Sequence, residues 1–490
     1  MNISKSNFVL GCQCEKALWF YKYRPELKEI SEETQETFNV GKSVGEVARD
    51  MFPGGTLVEY NIDTSIMTEQ TADLMKNGEK VIYEAAFIFE DLIAICDVLV
   101  RTKKGYKVYE VKSSTSMKDP YYIDTAFQYY VLARAGIKVE GIYLVHINNQ
   151  YVRNGDLNLS DLFVINDVTG EAIASTRLIE EKLQCLRSVL KSKSEPDMDI
   201  GLYCTAPYEC FFINHCWEHI PENSVFELSG LQSKKKFELY SKGLISFENL
   251  IENKYPLSDK HYKQVNAALK NEEYINPTAI SRFLDTLTYP LYFLDFETYM
   301  QAIPQADGIR PYEQIPFQYS VHYILKEGGE VFHIDFLGKE GTNTKRELAL
   351  NLIKDIPSDV CVIAYNATFE KTRIKELAES FPDLSDHLMR IRDNIKDLMV
   401  PFKDMHYYTK DMCGSHSLKY VLPALFQDDP DLDYNALDIK DGTMAMGAFA
   451  YLHLQEPEVI AKIRESLLEY CELDTYAMVK IIERLKSLAG

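Results

Sequence analysis

The spacing of apolar residues changes period along this chain, and each change marks an element. Val81–Glu90, Leu92–Arg101 and Tyr106–Lys112 are runs rich in β-branched and aromatic residues. An acidic turn and Lys103-Lys-Gly separate them, which predicts three consecutive strands. Residues 36–51 and Ile123–Ala135 read as helices. A second series begins at the apolar run Leu291–Leu294. It continues with strands around Gln318–Leu325 and Val331–Phe336, a helix over Lys345–Lys354, a buried strand over Val360–Ala364 and a final helix over Pro457–Leu488. Between the two series, residues 228–250 read as helix, turn at Gly243, helix, a form that resembles a degenerate helix–hairpin–helix. The length admits more than one core. The pattern predicts an α/β protein with domains at 1–220 and 291–490, joined by a small helical segment over 221–290.

Polar residues set into the apolar runs carry the candidate chemistry. In Tyr292-Phe-Leu-Asp-Phe-Glu-Thr, Asp295 and Glu297 occupy alternate positions of a strand and share one face. Like charges so close raise one another's pKa unless a cation sits between them, and hard cations such as Mg²⁺ or Mn²⁺ take oxygen ligands. A strand ending in a solvated polar turn is the plainer alternative. In the first series, Asp97 ends the apolar run Leu92–Cys96, and Glu110 and Lys112 share a face of the next strand. Two acids with a neighbouring lysine suit metal-assisted phosphodiester cleavage. They also suit a cross-strand ion pair on a solvated hairpin.

Composition narrows the class. Hydrophobic residues make up 46% and charged residues 26%, the balance of a soluble globular protein. No apolar run approaches a membrane span, and Met1-Asn-Ile-Ser-Lys lacks the apolar core of a signal peptide. The expected location is the cytoplasm, with no membrane partner. The net charge of −21 is spread along the chain, with 23 basic against 32 acidic residues up to residue 220 and 30 against 42 beyond it. That balance argues against a binder that works by bulk phosphate neutralisation. It leaves room for a groove whose field divalent cations reverse.

Ten cysteines in such a chain point to metal ligands or buried packing rather than disulfides. Cys96, Cys361 and Cys471 sit in apolar stretches and are expected to pack. Cys204, Cys210 and Cys216 are spaced five residues apart among polar neighbours, and Cys12 and Cys14 lie in Gly11-Cys-Gln-Cys-Glu-Lys-Ala-Leu-Trp.

Glu46 on a helix, Asp97, Glu110-x-Lys112 and Gln128 on a helix occur in the order of the RecB-like branch of the PD-(D/E)XK nucleases. The stretch resembles in particular the iron–sulfur type related to CRISPR-associated exonucleases. The resemblance implies a restriction-endonuclease-like fold, with Glu46, Asp97 and Glu110 as ligands of Mg²⁺ or Mn²⁺ and Lys112 and Gln128 as catalytic residues. It also implies a [4Fe–4S] cluster on Cys14, Cys204, Cys210 and Cys216, with Cys12 and His215 as lower-ranked substitutes. By ligand type, four thiolates suit Zn²⁺ equally. The family often has Tyr four residues after the Gln, where this chain has Leu132, with Tyr129 and Tyr130 nearby.

The second series resembles the DEDD exonucleases, in the subtype with Tyr on the late helix. Its marks are Asp295-x-Glu297, Asn366 followed by Glu370 at a strand–helix junction, and Tyr470-x-x-x-Asp474. The resemblance implies an RNase H-like (DnaQ-type) exonuclease domain, with Asp295, Glu297, Glu370 and Asp474 holding Mg²⁺ or Mn²⁺ and Tyr470 orienting water. Glu370 stands where the family usually has Asp, and Asp397 is the second choice for that acid. Residues 414–420 are expected to line the nucleotide groove.

The arrangement as a whole looks like a bacterial family that fuses the two nucleases. It implies a two-site, metal-dependent nuclease on nucleic acid, DNA favoured over RNA and single-stranded ends foremost, trimming 3′→5′ at the carboxy-terminal site. Repair, CRISPR adaptation and phage defence are the settings it implies for protein partners. A reading of another class is a nucleic-acid-binding or scaffold protein with decayed nuclease sites, to which Leu132, Glu370 and the acidic charge point.

Overall fold

Strand pairing in the computed structural model, which describes residues 2–427 and 429–490, divides the protein into two mixed α/β units. The first runs to Ile220 and takes in Ala302–Pro304; the second holds Pro221–Gln301 and Gln305–Gly490.

In the first unit β2 (Thr56–Leu57), β3 (Val81–Phe89), β4 (Leu92–Arg101), β5 (Tyr106–Lys112), β6 (Val139–Ile147) and β7 (Phe163–Asp167) lie side by side in that order. A short β1 (Ile3–Ser4) runs parallel to the start of β4, with Ile3 opposite Leu92. β3, β4 and β5 form an antiparallel meander because the turns are tight: Thr102 N–H donates to the Gly105 carbonyl at 2.8 Å. β6 returns parallel to β5 after the helix Asp119–Arg134, which begins at a Pro in its first turn and gives way to Gly136 at φ +83°. That helix lays Phe127, Val131 and Leu132 onto the sheet, and Phe127 stacks on Phe8 with centroids 4.9 Å apart. Each such side chain contributes roughly 1.5–3 kcal/mol by leaving water. Leu132 is therefore a core residue. The tyrosine that the nuclease resemblance leads one to expect there would have to displace this packing.

The second unit opens with helices Ser233–Ser241, Phe247–Glu252 and Asp259–Lys270, which enclose a small core of Val225, Leu239, Phe247, Leu250 and Val265. Gly243 makes the turn between the first two at φ +73°. Next, β8 (Tyr274–Ile275) pairs with a strand far along the chain, β14 (Tyr407–Tyr408). Residues 221–290, expected as a connecting segment, are thus built into this unit. Its main sheet has β9 (Leu291–Tyr299), β10 (Ile315–Ile324), β11 (Val331–Leu337), β12 (Cys361–Ala364) and β13 (Ile395–Asp397) in the order β11-β10-β9-β12-β13. The hairpin strands β9, β10 and β11 are antiparallel; β12 and β13 run parallel to β9. The final helix, Pro457–Ala489, buries Leu467, Cys471, Met478, Ile481 and Leu485 at helical spacing and crosses β9 and β10. Among the described residues no helix is long and apolar enough to cross a membrane.

Candidate functional site

β9 is the central strand of its sheet, flanked by β10 and β12; of its two acids Glu297 is buried and Asp295 half-buried. Asp295 and Glu297 leave it on one face, and the final helix brings Asp474 to them. One carboxylate oxygen from each of the three lies within 4.8 Å of the others. Burial and the surrounding acids push Asp295 and Glu297 well above the usual carboxylate range, and no Lys or Arg is among the groups acting on them. Burial raises Asp474 to about 6, against hydrogen bonds from Tyr434 and Tyr470. Tyr434 donates to Asp474 Oδ1 at 2.5 Å.

Glu370, on the helix Thr368–Ser380, is buried, has an oxygen without a hydrogen-bond partner, and is raised by burial to about 8. It acts on Asp295 and Glu297 through space but stands outside the close group of three. Asp397 is committed elsewhere: its Oδ1 accepts from the backbone N–H groups of Asn366 and Met399 at 3.1 and 3.0 Å. It shapes the turn in which Asn366 takes φ +63°. That leaves Glu370 as the fourth acid. Gly414, expected to begin the groove lining, is packed instead, with no room for a Cβ beside Gln264. The half-buried Asp295, the buried Glu297 and Asp474 and the orphaned Glu370, with no Lys or Arg acting on the first two among the described residues, form an all-oxygen donor set that fits Mg²⁺ or Mn²⁺. Cys471 packs beneath, its Sγ 3.8 Å from Asp295 Oδ2. Tyr434 has no sequence signal, because nothing local ties it to Asp474.

These shifts set a pH dependence. Asp474 and Glu370 keep protons in the folded state up to about 6 and about 8, whereas in the unfolded chain they release them near pH 4. Between those limits the folded state binds more protons, so stability falls as pH rises. In EDTA the melting temperature is expected to drop between about pH 5 and pH 8, with the Asp474 contribution on the order of a few kcal/mol. Mn²⁺ should restore most at the alkaline end. Calorimetry of the wild type against Asp474→Asn isolates the effect, and equal pH slopes for the two would refute it.

In the first unit, β4 and β5 separate at the acids. Their pairing ends at Val98 and Tyr109, and the Val111 N–H donates to Asp97 Oδ2 at 2.6 Å instead of to a strand carbonyl. Glu110 is almost fully buried. It accepts from Gln128 Nε2 at 2.5 Å, from Lys112 Nζ at 2.8 Å and from Lys5 Nζ. Lys112 also pairs with Asp124 and lies 5.1 Å from the centre of the Tyr121 ring. Burial works against an ionised Glu110, but the Lys112 and Lys5 ammonium groups overcome it and pull Glu110 to about 2. Burial and the Glu110 charge raise Asp97 to about 7.

Asp97, Glu110, Lys112 and Gln128 thus meet, with Lys112 bonded to Glu110 rather than to Asp97. Glu46 is exposed on the helix Glu32–Arg49, and none of the bonds described for this site involves it. Besides Glu110, the acid that acts on Asp97 is Glu84 of β3, at φ +53° and paired with Arg49 at 2.8 Å. Lys5 was not legible as a site residue. It arrives because β1 pairs with β4, a contact across some ninety positions of sequence. Glu110, already neutralised by the Lys5 and Lys112 ammonium groups, leaves this site fitting a divalent cation less well than the pocket of the second unit.

The cysteine segment folds back on the first helices. Cys14, Cys204, Cys210 and Cys216 line one cavity of about 110 Å³. Cys14 caps the helix Glu15–Tyr23, its Sγ accepting from Ala17 N–H at 3.4 Å, and Gly201 N–H donates to Cys204 Sγ at 3.4 Å. Burial, reinforced by the neighbouring thiols, raises Cys210 and Cys216 to about 11. A single Zn²⁺ with Zn–S near 2.3 Å holds its sulfurs about 3.8 Å apart. Among the described residues no three cysteine sulfurs come within 4.8 Å of one another. Four thiols on one cavity wall, two with N–H···S bonds, are a donor set that suits an iron–sulfur cluster or Zn²⁺ by ligand type. Cys12 and His215 are not on the cavity wall; His219 is. Tyr208, in the same segment, lies close enough to Tyr121 and Asp124 to feel their charge.

A family model described as a domain of unknown function (DUF2779) matches residues 292–417. This span starts on β9 and includes Asp295, Glu297 and Glu370 but not Asp474. An uncharacterised protein, UU173, of Ureaplasma parvum serovar 3 is 25% identical over 244 residues, 44% of this chain and 34% of the relative. The chain thus spans about a third of the length of the curated relative it matches.

Proposed function

We propose that this chain is a metal-dependent nuclease whose main catalytic centre is the acidic pocket of the second unit. The observation that carries the reading is the meeting of Asp295, Glu297 and Asp474, from distant points of the chain, in one pocket where no Lys or Arg acts on Asp295 or Glu297 among the described residues. The order β11-β10-β9-β12-β13, antiparallel on one side of β9 and parallel on the other, supports an RNase H-like exonuclease fold. The β3–β6 core with its crossing helix supports a PD-(D/E)XK fold in the first unit, and the cysteine cavity supports its iron–sulfur type.

Asp295, Glu297 and Asp474 would hold Mg²⁺ or Mn²⁺, with Glu370 behind them. The bound ion would polarise the phosphodiester and lower the pKa of the attacking water. Tyr434 fixes the Asp474 carboxylate, and Tyr470, held un-ionised by burial and by Asp474 to which it donates, would orient a water by accepting from it at the phenol oxygen. Glu370 keeps its proton near neutrality and so suits proton exchange with the reacting centre. In the first unit, Lys112 would meet a phosphate oxygen. The Lys5–Glu110 pair and the exposed Glu46 favour a second reading for that unit alone, in which it binds strand ends without cleaving them.

The test is digestion of end-labelled single-stranded DNA, duplex DNA and RNA in Mn²⁺. We expect Asp295→Asn to lose 3′ trimming and Lys112→Ala to keep it. Unchanged digestion by both variants would overturn the nuclease assignment. Tight binding without cleavage by the wild type would select the decayed-site alternative.

A further inference from the structure

Facing each other across β10 and β11, His322 and His333 are register partners, with ring centroids 4.5 Å apart. Glu472 reaches them from the final helix. One ligand atom from each of the three lies within 4.8 Å of the other two, and His333 Nδ1 is 3.7 Å from Glu472 Oε1. This group shares no residue with the acidic pocket.

The protons around it can be placed from the hydrogen bonds. Thr475 Oγ1 donates to the Glu472 carbonyl at 3.1 Å, a partner that can only accept. In that arrangement Thr475 accepts from its other two neighbours, His322 Nδ1 at 2.8 Å and Ser320 Oγ at 2.7 Å. With its own proton spent on Thr475, Ser320 Oγ accepts from His333 Nε2 at 2.9 Å. This arrangement satisfies every bond of the chain and leaves His322 Nε2 and His333 Nδ1 available to coordinate. In metal sites, too, the non-ligating nitrogen of each imidazole is held by a hydrogen bond that leaves the other free to coordinate.

We propose that His322, His333 and Glu472 form a separate site for one zinc-class divalent cation, which fastens the final helix to the β10–β11 hairpin. Two imidazoles and one carboxylate suit Zn²⁺ or Co²⁺ better than Mg²⁺. With three protein ligands, a fourth position is left to water, and Glu472 is exposed, so the site opens to solvent.

The test uses the full chain with excess Mg²⁺, titrated with Zn²⁺ or Co²⁺. Wild type should take up about one more equivalent of either ion than His333→Gln or Glu472→Ala. The extra Co²⁺ should show d–d absorption without a thiolate charge-transfer band. Asp295→Asn should retain that equivalent, which separates this site from the acidic pocket. Glu472 is exposed, so Glu472→Ala should fold normally, and far-UV circular dichroism checks it. Equal uptake by wild type and both site variants would overturn the proposal, as would a difference spectrum dominated by thiolate bands.

Discussion

Asp474→Asn should lower Mn²⁺-dependent 3′ trimming by roughly 10²–10⁴-fold, the effect of several kcal/mol lost in the transition state. The substitution preserves shape, since the Asn carbonyl can still accept from Tyr434, but it removes one of the three anionic oxygens that would bind the ion. The same change should raise the melting temperature in EDTA. The folded protein without metal pays for each buried, unpaired carboxylate. Opposite signs on activity and stability distinguish a ligand from a packing residue. If Asp474→Asn cleaves normally, or if it both cleaves poorly and melts early, the pocket is not the catalytic centre. End-labelled digestion and calorimetry on one preparation give both answers.

Cys204→Ser should have the largest effect on stability. A cluster bound in the cavity would tie Cys204 to Cys14, parts of the first unit nearly two hundred residues apart. Closing a loop of that length is worth on the order of 5 kcal/mol by the chain-entropy estimate. A structural metal centre, judged by zinc-finger binding energies, contributes on the order of 10 kcal/mol. The segment around the cavity contains only short helical turns, Leu202–Cys204 and Ile213–Trp217, and is otherwise held by the packing of Phe212 on Phe20 and by Gln13, which donates to the Tyr203 and Tyr208 carbonyls at 2.7 Å. We expect loss of iron and sulfide, early proteolysis between residues 199 and 217, and a lower melting temperature for the first unit. Cleavage by the second unit should persist. Cys96→Ala, a buried packing change outside the cavity, should leave iron content unaltered. Anaerobic purification with iron and sulfide analysis of the wild type, Cys204→Ser and Cys96→Ala decides it. A wild type without iron but with tightly bound zinc would replace the cluster by a single ion.

Much of the local structure could be read before any coordinates. β4 and β5 fall on the residues that the apolar alternation marks, and the final helix differs from its expected span by one residue. The carboxylates at 295 and 297 share a face because strand geometry leaves no other choice, and five-residue spacing set three cysteines apart from the packing ones. The short strand β13 was missed, since three residues carry too little periodicity to register. Non-local pairing was beyond reach. Glu84 rather than Glu46 acts on Asp97 because of strand pairing. Lys5 reaches Glu110 through the β1–β4 pair. Tyr434 meets Asp474 only after the connection before the final helix has folded back.

By itself, then, the amino-acid order determined the elements, the faces on which their acids lie and the residue types available for ligation, because these depend on repeats of two to four residues. Tertiary structure alone decided which acids share a pocket, that residues 221–290 join the second unit, and that two histidines on separate strands stand opposite each other. Those outcomes rest on strand register and helix placement, which follow from the packing of distant apolar residues and leave no mark in any single stretch of sequence.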